Sequence, residues 1–87
     1  MNYKVVLSKV AEKQKPLLKS AHLDDKARKL LDILLVDPFL NPPPYEKLVG
    51  VSATYSRRIN YQHRLVYRVD QDAKVVHVLS MWTHYEY

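Results

Sequence analysis

The chain has 87 residues, a formal net charge of +5 and 47% hydrophobic residues, with one glycine and no cysteine. This length fits one domain with a small core, over residues 1–87, and the hydrophobic content argues against a disordered chain. The lack of cysteine excludes disulfides and thiolate chemistry and is typical of a reducing cytoplasm. No segment resembles a signal peptide or has the length of a membrane span, so we expect a cytoplasmic protein with no membrane partner.

The first half of the chain predicts one strand and two helices. Residues 3–7 form a short β-branched run, and Ser8 is a good helix N-cap. Pro16 should kink or split the first helix, because it lacks a backbone donor and crowds the preceding turn. The second helix should begin at Asp24-Asp25 and end at Asp37-Pro38. The residues at helical spacing are Val10, Gln14, Leu17, Leu18 and Ala21 in the first helix, and Leu23, Ala27, Leu30, Leu31 and Leu34 in the second.

The second half of the chain predicts a sheet. Asn41-Pro42-Pro43-Pro44 reads as a stiff extended spacer, and beyond it the hydrophobic period changes to two. The predicted strands are 45–49, 54–60, 63–70 and 74–82. We therefore predict an α+β fold of order βααββββ, with both helices packed on one face of an antiparallel sheet.

The strand register brings several arginines together. If Ile59 shares the buried face with Leu65, Tyr67 and Val69, the intervening turn must be the three residues 60–62. That register places Arg58 opposite Arg64, with Arg68 further along the same face.

Like charges placed directly opposite one another are destabilising, so this pattern indicates an anion between them. Four of the five arginines lie within residues 57–68, and the planar fork of arginine suits phosphate. The alternative is that Arg57, Arg58, Arg64 and Arg68 are only solvated strand residues. The net positive charge favours a polyanionic partner, either nucleic acid or an acidic protein.

Two further residues are candidates for proton transfer. Glu46 is either a salt-bridge partner of the arginines or a general base, and His84 is a natural proton carrier because imidazole titrates near neutrality. His63 and His77 are expected to be structural or surface groups, and His22 a helix-end residue. Metal-ligand spacings, phosphate-binding glycine loops and nucleophile elbows are all missing from the sequence, so no metal and no cofactor are expected. Single-stranded RNA is the ligand that these features together indicate: the arginines, Glu46, His84 and aromatic side chains able to stack on unpaired bases.

Four sequence blocks, in order, resemble the Txe/YoeB toxins, a branch of the RelE-like ribonuclease superfamily. The blocks are Pro44-Tyr45-Glu46-Lys47-Leu48, Tyr55-Ser56-Arg57-Arg58-Ile59, His63-Arg64-Leu65-Val66-Tyr67 and His84-Tyr85. The resemblance is specific in the last forty-odd residues and loose over the helices. It departs from the family pattern at Val49, where many relatives carry lysine, and at the additional Glu86-Tyr87.

This resemblance implies a RelE-like fold and a toxin that cuts messenger RNA in the A site of the 70S ribosome, restrained by an acidic antitoxin of the Axe/YefM type. Operator DNA would be bound only through the antitoxin complex. The implied mechanism is attack of the RNA 2′-hydroxyl on the adjacent phosphate, without a metal.

The resemblance also assigns roles to individual residues. Glu46 would be the base and His84 the acid, Arg64 and Arg58 would stabilise the phosphorane, and Tyr85 would position the nucleotide or the scissile phosphate. The remaining basic residues expected to contact RNA are Arg57, Lys47 and Arg68. The competing hypothesis is a non-catalytic module of the same fold that binds RNA or the antitoxin.

Overall fold

The computed structural model of the chain describes residues 2–82. Its elements are β1 Lys4–Leu7, α1 Lys9–Ser20, α2 Asp24–Val36, β2 Glu46–Lys47, β3 Thr54–Arg58, β4 Arg64–Asp70 and β5 Val75–Ser80. The five strands form one sheet in the order β1-β5-β4-β3-β2, and this confirms the predicted α+β fold. β1 runs parallel to β5, whereas the other three neighbouring pairs are antiparallel. The sheet is therefore mostly, but not purely, antiparallel.

The first helix starts where the sequence predicts, but of the predicted stripe only Leu18 is buried. The Ser8 hydroxyl accepts a hydrogen bond from the Ala11 backbone N–H, as an N-cap should. The helix continues through Pro16 to Ser20, so the predicted split is wrong. Val10 and Leu17, which the spacing places in the apolar stripe, are 56% and 44% exposed.

The second helix and the sheet supply most of the core. The expected start and end of α2 at Asp24 and Asp37 are confirmed. The buried apolar side chains that form one cluster between helices and sheet are Ala11, Leu18, Leu23, Ala27, Leu30 and Leu34 from the helical region and Ile59, Leu65, Tyr67, Val69, Val76, Val78 and Met81 from the sheet region. We call the sheet face that carries this cluster the inner face and the opposite one the outer face.

The register of the central hairpin agrees with the prediction. Arg58 pairs with Arg64, and the Ile59 N–H donates to the His63 carbonyl, which leaves residues 60–62 as the turn. The Asn60 side chain accepts backbone hydrogen bonds from Gln62 and His63 and so fixes this turn. Because the turn sets the register, it also determines which arginines reach the outer face.

None of the helices within residues 2–82 is long and apolar enough to cross a membrane.

Candidate active site on the outer face

The register places one carboxylate and two arginines at the same end of the outer face. Glu46 on β2 pairs with Ser56 on β3, and Arg58 at the end of β3 pairs with Arg64 at the start of β4. Side chains at directly paired positions, and at positions two residues apart, lie on one face of a sheet. Glu46, Ser56, Arg58 and Arg64 therefore form one polar cluster, which we call the site cluster.

Arg64 contacts two other members of the site cluster. Its Nη1 donates to the Ser56 hydroxyl at 3.0 Å and lies 3.7 Å from Oε1 of Glu46. The Arg64 side chain is 20% exposed and the Glu46 side chain 69% exposed. At 3.7 Å the two charges attract without forming a hydrogen bond, so the Glu46 carboxylate keeps its lone pairs available to another partner.

Arg58 adds a second cation that has only a weak internal partner. Its exposed side chain donates from Nη1 to the Tyr61 carbonyl at 3.4 Å, near the limit of a hydrogen bond. Tyr61 itself is 83% exposed in the turn beside it. Two guanidinium groups on directly opposed strand positions repel each other, and an anion between them would relieve that repulsion.

The site cluster combines two chemical capabilities. An exposed carboxylate can accept a proton, and the neighbouring guanidinium groups can stabilise negative charge that develops on a phosphate. The net charge of Glu46, Arg58 and Arg64 is positive, so the cluster attracts an anionic substrate while keeping a basic group within it. Within residues 2–82, no group of three or more His, Cys, Asp or Glu side chains is placed to hold a metal ion.

Ser56 is the member of the site cluster that sequence reasoning missed. It is 1% exposed and holds the guanidinium of Arg64. The alternation that places Arg58 on the outer face also places Ser56 there, two residues earlier on the same strand. The two-residue period of β3 could therefore have identified Ser56 from the sequence.

Arg57 requires a correction, because it was expected to contact RNA and is 1% exposed on the inner face. Its guanidinium donates to the carbonyls of Pro38, Leu40 and Pro43 and lies over the Tyr45 ring, 5.0 Å from its centroid. Those bonds turn the side chain into the interior, away from any ligand on the outer face. The three carbonyls belong to residues 38–43, which we call the connector and which these bonds tie to β3.

Lys47 is exposed but is not brought to the site cluster. It pairs with Tyr55, whereas Glu46 pairs with Ser56, so Lys47 and Glu46 point to opposite faces of the edge strand. Any contact of Lys47 with RNA, as expected from the sequence, would therefore be made away from the site cluster.

Arg68 is exposed on the outer face, paired with Thr54 on one side and His77 on the other. It stands four residues beyond Arg64 on β4, which corresponds to about 13 Å along the strand. Arg68 can therefore contact an extended polyanion at a second point along the strand.

The remaining two candidates, His84 and Tyr85, lie outside the described residues. The last described segment is well anchored: the Met81 N–H donates to Oε1 of Gln14 at 2.6 Å, and the Trp82 ring stacks on His63 at 4.2 Å between centroids. His63 is buried, as expected for a structural histidine.

Comparison with known proteins identifies the family. The family model described as the YoeB-like toxin of bacterial type II toxin–antitoxin systems matches residues 18–85, and these include all four sequence blocks discussed above. The chain belongs to this family. No match was found among curated proteins.

Solved structures of YoeB and RelE toxins share the fold. The YoeB/ParE toxin from Agrobacterium tumefaciens has a TM-score of 0.83 and 27% identity, over 94% of this chain and 99% of that one. YoeB in the YoeB–YefM complex from Staphylococcus aureus has a TM-score of 0.76 and 27% identity, over 98% and 100%. A chain of the archaeal RelE–RelB complex from Pyrococcus horikoshii has a TM-score of 0.78 and 27% identity, over 95% and 96%. The chain is therefore a YoeB-like toxin with a RelE-like fold.

Proposed function

We propose that this chain is a metal-independent endoribonuclease that cuts messenger RNA in the ribosomal A site and so stops translation. The observation that carries the proposal is the site cluster, in which an exposed carboxylate stands beside the guanidinium of Arg64, bonded to Ser56, and the weakly bonded guanidinium of Arg58. Membership of the YoeB-like toxins supports the same reaction class.

The proposed reaction is an internal transesterification. The Glu46 carboxylate takes the proton of the RNA 2′-hydroxyl, and the 2′-oxygen forms a bond to the adjacent phosphorus. Arg64 and Arg58 stabilise the extra negative charge of the phosphorane. The bond from phosphorus to the 5′-oxygen then breaks, and His84 gives that oxygen a proton. The products are a 2′,3′-cyclic phosphate and a 5′-hydroxyl.

The remaining residues bind the substrate in this proposal. Tyr85 positions the nucleotide at the scissile phosphate, and Arg68 contacts the RNA backbone about 13 Å from Arg64 along the strand. Tyr61, which is exposed beside Arg58, stacks on a base of the single-stranded RNA in this proposal.

We further propose that an acidic antitoxin of the Axe/YefM type inhibits the chain in the cytoplasm, and that operator DNA is bound only through that complex. Relatives of the same fold were solved as YoeB–YefM and RelE–RelB complexes. The formal net charge of +5 favours an acidic partner.

The test is cleavage of a defined messenger RNA on 70S ribosomes with an open A site, comparing wild type with Glu46→Gln and His84→Ala. We expect a cut at the A-site codon and a loss of about 10²- to 10⁴-fold in rate for each variant, the usual contribution of a general base or acid. Glu12→Gln is the matched control, because Glu12 forms an exposed salt bridge with Lys15 on α1.

The same experiment separates the two hypotheses. If the wild-type chain binds the programmed ribosome and leaves the RNA intact, the chain is a non-catalytic binding module. If Glu46→Gln removes binding rather than cleavage, the carboxylate is structural and the proposed base is wrong.

A further inference from the structure

Arg57 is a fully buried cation that the proposed reaction does not use. Nη1 donates to the Pro43 carbonyl at 2.5 Å, and Nη2 donates to the carbonyls of Pro38 at 2.9 Å and Leu40 at 2.8 Å. Burying a charge is costly unless it is well hydrogen-bonded. The three bonds join β3 to both ends of the connector, residues 38 to 43, that leads into β2.

The connector determines where Glu46 lies. Pro43 is three residues before Glu46, and the ring of Tyr45, the residue directly before it, lies under the Arg57 guanidinium at 5.0 Å. The Tyr45 ring also packs edge-on against Tyr55, with 5.8 Å between centroids. A guanidinium bonded to the connector and stacked on Tyr45 therefore fixes the backbone that delivers Glu46.

The edge strand itself has few other restraints. β2 contains two residues and pairs with β3 on one side only, through Glu46 with Ser56 and Lys47 with Tyr55. One further backbone bond follows, from the Leu48 N–H to the Thr54 carbonyl at 2.9 Å. So short an edge strand depends on anchors outside its ladder for a fixed position.

We propose that Arg57 is a positioning residue for Glu46, acting from the inner face through the connector and Tyr45. This inference rests on the proposed function of Glu46 as the base. Ser56, the preceding residue on β3, holds Arg64 from the outer face. Two adjacent residues of one strand thus set both the carboxylate and the guanidinium of the site cluster.

The first test is Arg57→Lys in the ribosome cleavage assay. A lysine keeps the charge, but its single ammonium cannot reproduce the planar fork that bonds three carbonyls. We expect kcat to fall about 10²-fold, the effect of a misplaced catalytic group, with KM changed less than about twofold. Arg28→Lys, an exposed arginine on α2, is the matched control and keeps the wild-type rate.

The decisive test repeats the substitution in the Glu46→Gln background. If Arg57 acts through Glu46, Arg57→Lys changes the residual rate there by less than about twofold, because the group it positions is already lost. A purely structural role instead lowers the rate by the same factor in both backgrounds. Leu18→Ala, a core truncation, controls for loss of stability and should keep kcat at temperatures where circular dichroism finds it folded.

The outcomes are distinguishable. Equal losses in both backgrounds, or an unchanged kcat for folded Arg57→Lys, overturn the positioning role while leaving the ribonuclease intact. A wild-type chain that cuts no RNA refutes the proposed function, and this inference with it. If Arg57→Lys does not fold, Tyr45→Leu is measured instead, alone and in the Glu46→Gln background. This variant removes the half-buried ring under the guanidinium and keeps the three hydrogen bonds of Arg57.

Discussion

The Gln14 side chain gives a sharp test of how the first helix is tied to the sheet. Its Oε1 accepts from the Met81 N–H at 2.6 Å, and its Nε2 donates to the Ser80 hydroxyl at 3.3 Å. Met81 is 1% exposed, so the residue whose N–H is bound lies in the interior. We expect Gln14→Leu to destabilise the chain strongly although leucine fits a helix as well as glutamine does.

The size of the effect follows from these two hydrogen bonds. Leaving a buried backbone donor unpaired costs about 1–3 kcal/mol, and losing the longer bond to Ser80 adds about 0.5–1 kcal/mol. We therefore expect Gln14→Leu to lose about 1.5–4 kcal/mol. For a domain of this size, each kcal/mol lowers Tm by about 4–8 °C, so the total shift is about 6–30 °C.

The assay is thermal and urea denaturation in a His84→Ala background, chosen because the proposed function predicts that this substitution removes toxicity during expression. Gln14→Glu is the matched variant, because a carboxylate can still accept from the Met81 N–H and the Ser80 hydroxyl. We expect it to lose less than about 1 kcal/mol. Equal losses for the two variants, or a loss below about 0.5 kcal/mol for Gln14→Leu, would refute the proposed anchoring of α1.

Two further predictions concern stability. Burial raises the pKa of Tyr67 to about 12, above the 10.0 of an exposed tyrosine, although the nearby Arg57 charge opposes the shift. Because the unfolded chain loses this proton from about pH 10 and the folded chain keeps it until about pH 12, the contribution of Tyr67 to the free energy of unfolding is complete below pH 10 and falls between pH 10 and 12. Tyr67→Phe should lower the free energy of unfolding by about 1 kcal/mol at pH 8, because the hydrogen bond to the Pro38 carbonyl is lost. Urea denaturation should find that this difference between wild type and variant shrinks from about pH 10 to 12. A difference independent of pH contradicts the raised pKa of Tyr67. Ser8→Ala should cost about 1–2 kcal/mol by the same measurement, since the hydroxyl caps α1 and also donates to the Leu79 carbonyl, and a loss near zero contradicts the capping role.

Much of the fold could be predicted because local signals and tertiary packing agree. The Ser8 cap of α1, the bounds and apolar stripe of α2 and the three-residue turn at 60–62 follow from spacing and turn chemistry. The first helix was harder to interpret. Its spacing correctly included Leu18 but also assigned Val10 and Leu17 to the apolar stripe, whereas Ala11 is buried instead and the polar Gln14 reaches the end of β5. The spacing of apolar residues identifies a helix, but it does not show which polar side chain of the helix will hydrogen-bond to the sheet.

The site could be predicted only in part, for a similar reason. Alternation correctly placed Arg58 opposite Arg64 on the outer face. The same alternation puts Arg57 on the face of Ile59, but an arginine on a covered face has no sequence signature when its acceptors are backbone carbonyls. The carbonyls belong to residues 14 to 19 positions away, and only the folded connector brings them to β3.

The adjacent arginines of β3 therefore have opposite roles that follow from geometry rather than from residue type. Arg58 is exposed to solvent beside Arg64, whereas the guanidinium of Arg57 donates to backbone carbonyls in the interior. The outer face consequently has three arginines from the 57–68 cluster, not four, and its attraction for phosphate is correspondingly weaker than the sequence indicates. The fourth arginine, Arg57, instead restrains the connector. Without that restraint the two-residue edge strand β2 would be poorly fixed, and so would Glu46. In the ribonuclease mechanism proposed above, a fixed base contributes more than one further surface charge, because misplacing a reacting group by about 1 Å can cost about 10²-fold in rate.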